Sequence, residues 1–113
     1  MTKSLKPAPL VFWRSATGRE PVREWLNELS REDRRTIGRD MANGWPVGLP
    51  LCRPLGAGLW EVRASLPSKR EARVFFGFHQ GMLIAVHAMI KKTQKTPAED
   101  LALARGRFKE LQS

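Results

Sequence analysis

The sequence predicts an α+β domain in which helices cover a small antiparallel sheet. Segments 59–66 and 71–78 alternate apolar and polar residues at a period of two, as half-buried strands do. Segments 21–29 and 96–111 instead repeat their apolar residues at helical spacing. A chain of 113 residues without an internal repeat fits one domain, which we place at 1–113.

An N-terminal helical hairpin is predicted after a short apolar strand at 10–13, which we expect to be buried on both faces. Pro21 suits the first turn of a helix. The apolar stripe that follows consists of Val22, Trp25, Leu26 and Leu29. Ser30 with Asp33 three residues later has the pattern of a capping box and begins a second helix. We expect this hairpin to cover one face of the sheet, with Trp25 in the core.

Segment 45–58 is rich in glycine and proline, which is typical of a linker. It also contains one tryptophan, one valine and three leucines, which a flexible linker would leave exposed to water. We therefore expect an ordered connection that packs on the domain. The chain from 58 to 97 then supplies a three-strand meander and the start of a last helix.

Two arginines are predicted to lie directly opposite each other in the meander. Antiparallel pairing that keeps the apolar faces together pairs Trp60 with Phe76 and Val62 with Val74. Arg63 then lies across from Arg73, and like charges in this position are destabilising. Either one of these arginines pairs with Glu61 or Glu71, or both face an anion that the isolated chain lacks.

A third strand at 82–92 is expected after a three-residue loop at 79–81. The resulting pairs are Phe76 with Ile84 and Val74 with Val86. This register places His87 opposite Arg73, with Lys91 further along the same face. A two-residue turn at Gln80-Gly81 would reverse the assignment, and the strand is apolar on both faces, so its own pattern does not decide.

Positive charge is concentrated in the sheet region. The net charge is +9, and segment 53–95 carries eight Lys or Arg against two acids, which is +6 of that total. Such a balance favours a polyanionic partner. We interpret the arginines between the apolar residues as a basic, open sheet face that binds RNA.

Several classes of protein are disfavoured. One cysteine and two histidines offer no metal-ligand spacing, and no glycine-rich loop opens a helix, so we expect neither a metal nor a cofactor. The single Cys52 favours a reducing compartment. No segment reads as a secretory signal or a membrane span, and we therefore expect a cytoplasmic location without membrane contact.

The cations could support RNA cleavage in which the 2′-hydroxyl of the substrate attacks the adjacent phosphate. Arginine can hold a phosphate through two parallel hydrogen bonds, and lysine supplies a mobile point charge. The candidate catalytic residues are Arg63, Arg73, Lys91, Lys92, Glu61 and His87. The candidate RNA-binding residues are Lys69, Arg70, Thr93, Gln94 and Lys95. The general base stays open between Glu61, His87 and a lysine whose pKa is lowered by neighbouring cations.

Three motifs carry a family resemblance. The runs LGAGLWEVR at 55–63, RVFF at 73–76 and KKTQKTP at 91–97 together look like the signature of HigB-type toxins in the RelE/ParE superfamily, and more narrowly of its phage-derived branch. The resemblance covers nearly the whole chain, from the first strand to the last helix. It implies a RelE-like fold and a metal-independent, ribosome-dependent mRNA endonuclease, the toxin of a type II toxin–antitoxin system.

The resemblance also implies partners and site residues. The partners are the ribosome, mRNA and a small helix-turn-helix antitoxin, through which operator DNA is bound indirectly. The matching positions are Trp60, Glu61 and Arg63 in the first motif, Arg73 in the second, and Lys91 to Lys95 in the third. The chain has no tyrosine, whereas RelE proper uses one near its C-terminus, so the general acid and base stay open.

Three other functions are compatible with the same pattern. A non-catalytic nucleic-acid-binding module would share the basic face and leave mRNA intact. A ParE-like gyrase inhibitor would use the same fold against a protein target. The chain could also be an inactive copy of a toxin.

Overall fold

The computed structural model describes residues 9–44, 52–91 and 97–112. The elements are β1 (Leu10–Phe12), α1 (Pro21–Asn27), α2 (Arg31–Gly44), β2 (Cys52–Gly56), β3 (Leu59–Ser65), β4 (Glu71–His79), β5 (Met82–Ile90) and α3 (Ala98–Gln112). The strand order is β1-β5-β4-β3-β2, and every pair is antiparallel except β1 with β5. The predicted α+β class, with its helical hairpin and C-terminal helix, is confirmed, although the five-stranded sheet is mixed. Within the described ranges, none of the helices has the length and apolar character needed to cross a membrane.

The helical hairpin covers one face of the sheet, as predicted. Pro21 occupies the first turn of α1, and Val22 behind it is 2% exposed. The Ser30 hydroxyl accepts a hydrogen bond from the Asp33 backbone N–H at 3.1 Å, which satisfies a free donor at the start of α2. The apolar core on this face includes Ile37, Met41, Val62, Val74 and Phe76, with Trp25, Leu26 and Leu29 packed against it.

The opposite face is covered in part by α3. The helix itself was predicted for segment 96–111, but its packing on this face of the sheet was not. Phe108 and Ala104 pack with Leu59 and Phe75 in a second apolar core. A Cβ atom on Gly77 would lie only 2.2 Å from the Phe108 ring, so glycine is what lets this ring approach the sheet. The expected open basic face is therefore wrong over this half of the sheet. The reason is that Phe75, on the mixed face of β4, needs a hydrophobic cover and is fully buried.

The β1 strand lies at the edge of the sheet, parallel to β5. Its Leu10 is 41% exposed, so the expectation that this strand is buried on both faces is wrong. The chain continues along β5 for one residue more, because the Trp13 N–H donates to the Ala85 carbonyl at 2.9 Å.

An additional strand, β2, lies in the segment rich in glycine and proline. It pairs with β3 and forms the other edge, where Pro54 is tolerated because an edge strand has one side without ladder partners. Ala57 and Gly58 both have positive φ values, 54° and 84°, and make the tight turn into β3. The expected ordered connection is confirmed for 52–58, and residues 45–51 lie outside the described part of the chain.

The register of β3 against β4 agrees with the sequence prediction. Trp60 lies opposite Phe76 and Val62 opposite Val74. Arg63 lies opposite Arg73. Lys69 in the intervening loop has φ 65°, in the left-handed region.

The register of β4 against β5 differs from the prediction. His79 pairs with Met82, so the turn has two residues, and both Gln80 and Gly81 have positive φ, as a type I′ hairpin requires. Phe76 pairs with Ala85, Val74 with Ala88, and Phe75 with His87. The prediction that His87 lies opposite Arg73 is therefore wrong. A β-bulge at Val86 adds one residue to β5 between the partners of Phe76 and Phe75. Because of this bulge, His87 lies on the same face of the sheet as Arg73.

Candidate active site

A chain of ion pairs crosses the sheet on the face that α3 covers in part. We call it the ionic chain, and its members are Arg53, Glu61, Arg73, Glu71 and Lys91. Arg53 Nε donates to Glu61 Oε1 at 2.9 Å, and Arg73 Nη1 donates to Glu61 Oε2 at 3.2 Å. Arg73 Nε donates to Glu71 Oε2 at 3.3 Å, and Lys91 Nζ lies 3.6 Å from that oxygen. The ionic chain therefore joins β2, β3, β4 and the end of β5.

The centre of the ionic chain is buried. Glu61 is 0% exposed and Arg73 is 3% exposed, and buried charges of this kind persist only when they are paired and hydrogen-bonded. Each oxygen of the Glu61 carboxylate is held by a different arginine. Of the two accounts of the facing arginines, the structure supports pairing for Arg73, which binds both Glu61 and Glu71.

Accessible cations surround this buried centre. Arg63 on β3 is exposed, the Arg53 side chain is 47% exposed, and the Lys91 side chain is 20% exposed. Cations outnumber carboxylates in this region, so its surface attracts anions while its interior stays neutralised. Among the predicted catalytic residues that the structure describes, Arg63 is the most exposed.

His87 contacts Asp100, a residue that lies outside the sequence motifs of the predicted site. Its Nε2 lies 2.6 Å from Asp100 Oδ1, and its ring stacks on Phe75 at a centroid distance of 5.7 Å and an interplanar angle of 20°. The His87 and Asp100 side chains are 15% and 22% exposed. Asp100 lies in the first turn of α3, where acidic residues are common because the helix dipole stabilises negative charge at the N-terminus. The sequence therefore gives no sign that this acid has a histidine partner.

Helix α3, which carries Asp100, is anchored to the sheet by two arginines. Arg107 donates to the Val86 carbonyl at the bulge at 2.8 Å, and its guanidinium lies 4.6 Å from the centroid of the Trp13 ring. Burial lowers the pKa of Arg107 from its ordinary value, and the charge of Glu110 opposes this shift. Arg105 donates to the Leu55 carbonyl at 2.7 Å. These contacts fix the position of α3 relative to His87.

Arg70, predicted to bind RNA, contributes to a contact between the β3–β4 loop and α2. Arg70 Nη2 lies 3.3 Å from Asp33 Oδ2, and the Ser68 hydroxyl donates to the same oxygen at 2.8 Å. Burial is the strongest single influence on Asp33 and raises its pKa, but the bonds from Ser68 and Arg70 together outweigh it and lower the pKa. Lys69, at the tip of the loop, is exposed.

Four predicted site residues, Lys92, Thr93, Gln94 and Lys95, lie outside the described residues. The two described residues that flank them, Lys91 and Pro97, line one surface cavity of about 810 Å³ together with Asp100 and Trp25. A smaller cavity of about 170 Å³ is lined by His87, Trp25 and residues around them. The structure therefore brings His87, Asp100 and Lys91 to one region, next to the ionic chain.

The described residues include no group of three His, Cys, Asp or Glu side chains arranged to hold a metal ion. Cys52 is fully buried, and burial raises the pKa of its thiol to about 11. Neither observation assigns a cofactor to the site.

Two comparisons with known proteins bear on the chain. The model of the family described as "Phage derived protein Gp49-like (DUF891)" matches residues 24–109. The match runs from within α1 to within α3 and so includes the ionic chain, His87 and Asp100. No curated protein matches the chain.

Proposed function

The chain belongs to the Gp49-like family of phage-derived proteins, a RelE/HigB-like toxin family, and from this we propose that it is a type II toxin that cleaves mRNA on the ribosome. The family match over most of the chain is the observation that carries the proposal. A toxin of this family implies an antitoxin partner. In the proposal, that partner is a helix-turn-helix protein through which the complex binds operator DNA.

The proposed reaction uses the RNA as its own nucleophile. The 2′-oxygen forms a bond to phosphorus and gives its proton to a base on the protein. The bond from phosphorus to the 5′-oxygen breaks, and that oxygen takes a proton from an ammonium group or from water. The products are a 2′,3′-cyclic phosphate and a 5′-hydroxyl. The protein has to orient the 2′-hydroxyl and stabilise the negative charge that grows on the phosphate.

The accessible cations are assigned to the phosphate. Arg63 can form a forked contact to two phosphate oxygens, and Lys91 can supply a second charge from the end of β5. Lys92 and Lys95 extend this cluster along the sequence, and Lys69 remains a candidate RNA contact. Donors aimed at the developing charge can each contribute about 2.7–4 kcal/mol of transition-state stabilisation.

The buried pair of Glu61 and Arg73 is assigned a positioning role. Because both Glu61 oxygens are held by arginines and the side chain is buried, it has little opportunity to take a proton from a substrate. Arg73 in turn stands directly opposite Arg63 and holds the strand that carries it. Of the open candidates for the general base, His87 has the geometry that favours it most, since an acceptor already orients its ring.

The test is translation in vitro with and without the protein, followed by mapping of mRNA ends. We expect discrete new ends that carry a 5′-hydroxyl, so that they become competent for ligation only after phosphorylation. The same mRNA without ribosomes should remain intact. Intact mRNA during translation would contradict the proposal. Gyrase inhibition with DNA damage would then indicate a ParE-like function, and RNA binding alone would indicate a non-catalytic module.

A matched pair of variants tests the assignment of Arg63. Arg63→Ala should reduce mRNA cleavage by about 10²-fold or more, as the loss of one charge-stabilising donor does elsewhere. Arg35→Ala is the control, because Arg35 is also exposed but lies on α2, on the opposite face of the sheet. Both proteins should unfold at nearly the wild-type temperature. Equal cleavage by the two variants would remove Arg63 from the site.

A further inference from the structure

We propose that Asp100 is a positioning residue that holds His87 with its Nδ1 atom available as the base for the 2′-hydroxyl proton. The inference rests on the proposed function, and it names a residue of α3 that acts through a residue of β5. Its basis is the contact of 2.6 Å between His87 Nε2 and Asp100 Oδ1. The two residues are brought together only by the packing of α3 on the sheet.

The contact decides which ring nitrogen is free. A carboxylate oxygen can only accept a hydrogen bond, so His87 Nε2 must carry the hydrogen. In the neutral imidazole, the lone pair then belongs to Nδ1. A carboxylate that fixes the tautomer and orientation of a histidine in this way is a recurring arrangement for general bases.

Two further contacts restrict the ring. Phe75, which is fully buried, stacks against one face of the imidazole and prevents it from turning toward the sheet. Arg107 binds the carbonyl of Val86, the residue just before His87, and so fixes the backbone at the bulge. Asp100 is in turn fixed by its place in the first turn of α3. The ring is therefore constrained from three directions while its side chain remains partly exposed.

The step that follows is a proton transfer. The 2′-O–H proton passes to His87 Nδ1 as the 2′-oxygen bonds to phosphorus, and the imidazole becomes an imidazolium. Asp100 stabilises this cation through the Nε2 hydrogen bond. The bond to the 5′-oxygen breaks, and its electron pair stays on that oxygen, which is protonated by solvent or a nearby ammonium. His87 returns to the neutral form by releasing its proton to water.

The chain offers a matched control for this inference. Asp100→Asn removes one negative charge from the first turn of α3 and replaces an obligate acceptor by an amide. Glu99→Gln removes one negative charge from the same turn, at the neighbouring residue. His87→Gln and the double variant His87→Gln/Asp100→Asn complete a double-mutant cycle. All four proteins are compared with the wild type by thermal unfolding before their activity is measured.

The activity arm measures kcat and KM for mRNA cleavage on programmed ribosomes. We expect Asp100→Asn to lower kcat by about 10-fold to 100-fold, with little change in KM, because only the orientation of the base is affected. Glu99→Gln should cleave at the wild-type rate. The double variant should be no slower than His87→Gln alone, because Asp100 acts through His87. Independent, multiplicative losses would overturn the positioning role.

A second arm does not depend on activity. The ring ¹⁵N resonances of His87 should change in Asp100→Asn and stay in place in Glu99→Gln. Unchanged resonances in both variants would show that the pair does not exist in solution. If the wild type cleaves mRNA and Asp100→Asn cleaves it equally fast, this inference alone is overturned. If the wild type does not cleave mRNA although the ¹⁵N resonances show the His87–Asp100 pair, the proposed function and the role of His87 as a base are both overturned.

Discussion

Glu61 and Arg73 meet diagonally across β3 and β4, with Arg73 Nη1 3.2 Å from Glu61 Oε2 and almost no part of either side chain exposed to solvent. The pair lies where the sequence pattern predicts two facing arginines. Its presence explains how the sheet tolerates Arg73 directly opposite Arg63, because the carboxylate neutralises the buried member of the two. The exposed member, Arg63, is the one that we propose contacts the phosphate of the substrate.

Glu61→Gln should destabilise the protein strongly. It keeps the shape of the side chain but removes the fully buried one of the two carboxylates that pair with Arg73, and breaking a buried pair costs about 3–5 kcal/mol in other proteins. Glu71→Gln is the control, because Glu71 binds the same arginine but its side chain is 31% exposed, so solvent screens this pair and its loss should cost less. Urea unfolding of the three proteins measures the difference. Equal losses for both variants would show that burial does not determine the strength of these pairs.

Gly77→Ala should destabilise the contact between α3 and the sheet. The added methyl group would meet the Phe108 ring at 2.2 Å, and overpacking of this kind costs about 1–3 kcal/mol. Phe108→Leu in the same protein should recover part of that loss by providing space. Gly106→Ala is the control within α3, since its Cβ would have no neighbour within 4 Å. We expect it to stabilise the helix by about 0.5–1 kcal/mol, and thermal unfolding compares all four proteins.

The Cys52 thiol should resist labelling in the native protein. It is fully buried, and because burial raises its pKa to about 11, only about one thiol in a thousand is ionised at pH 8. Cys52 is the single cysteine of the chain, so a thiol reagent reports this one site. Labelling should accelerate with urea in parallel with unfolding. Rapid labelling of the folded protein in buffer would argue against the placement of β2 in the sheet.

The bond network of Asp33 should make stability depend on pH. Folding lowers the pKa of the Asp33 carboxyl. Its ionised form therefore adds to the free energy of unfolding above the ordinary pKa of about 3.9, and this stabilisation is lost as the pH falls through the lower native pKa. Asp33→Asn should therefore be less stable than the wild type at pH 7, with a smaller difference at pH 3. Glu32→Gln, an exposed neighbour in the same turn, should show little effect at pH 7. A constant difference for Asp33→Asn from pH 7 to pH 3 would rule out this linkage.

Local patterns were sufficient for several features. Alternation at period two, read with the short loop at 67–69, predicted the pairing of Trp60 with Phe76 and of Arg63 with Arg73. Helical spacing and a proline predicted α1, and a capping serine predicted the start of α2. These features depend on residues close in sequence or on a single tight loop, so the pattern contains the necessary information.

Other features required the tertiary structure. The β5 register depends on the backbone conformation of Gln80 and on a bulge at Val86, and a strand that is apolar on both faces does not encode either one. The choice of face for α3 depends on Phe108 meeting Gly77, across 31 residues of sequence. The contact of His87 with Asp100 follows from that packing.

The sequence by itself determined the class of the fold, the family resemblance and the order in which cations appear along the sheet, because each is a property of residue types and spacing. Only the tertiary structure decided which of those cations are buried. Arg73 is buried between Glu61 and Glu71, whereas Arg63 is exposed, although the two are register partners with the same charge. The physical reason is that burial and ion pairing depend on which side chains the folded sheet brings together, and the spacing of residues along one strand does not record this.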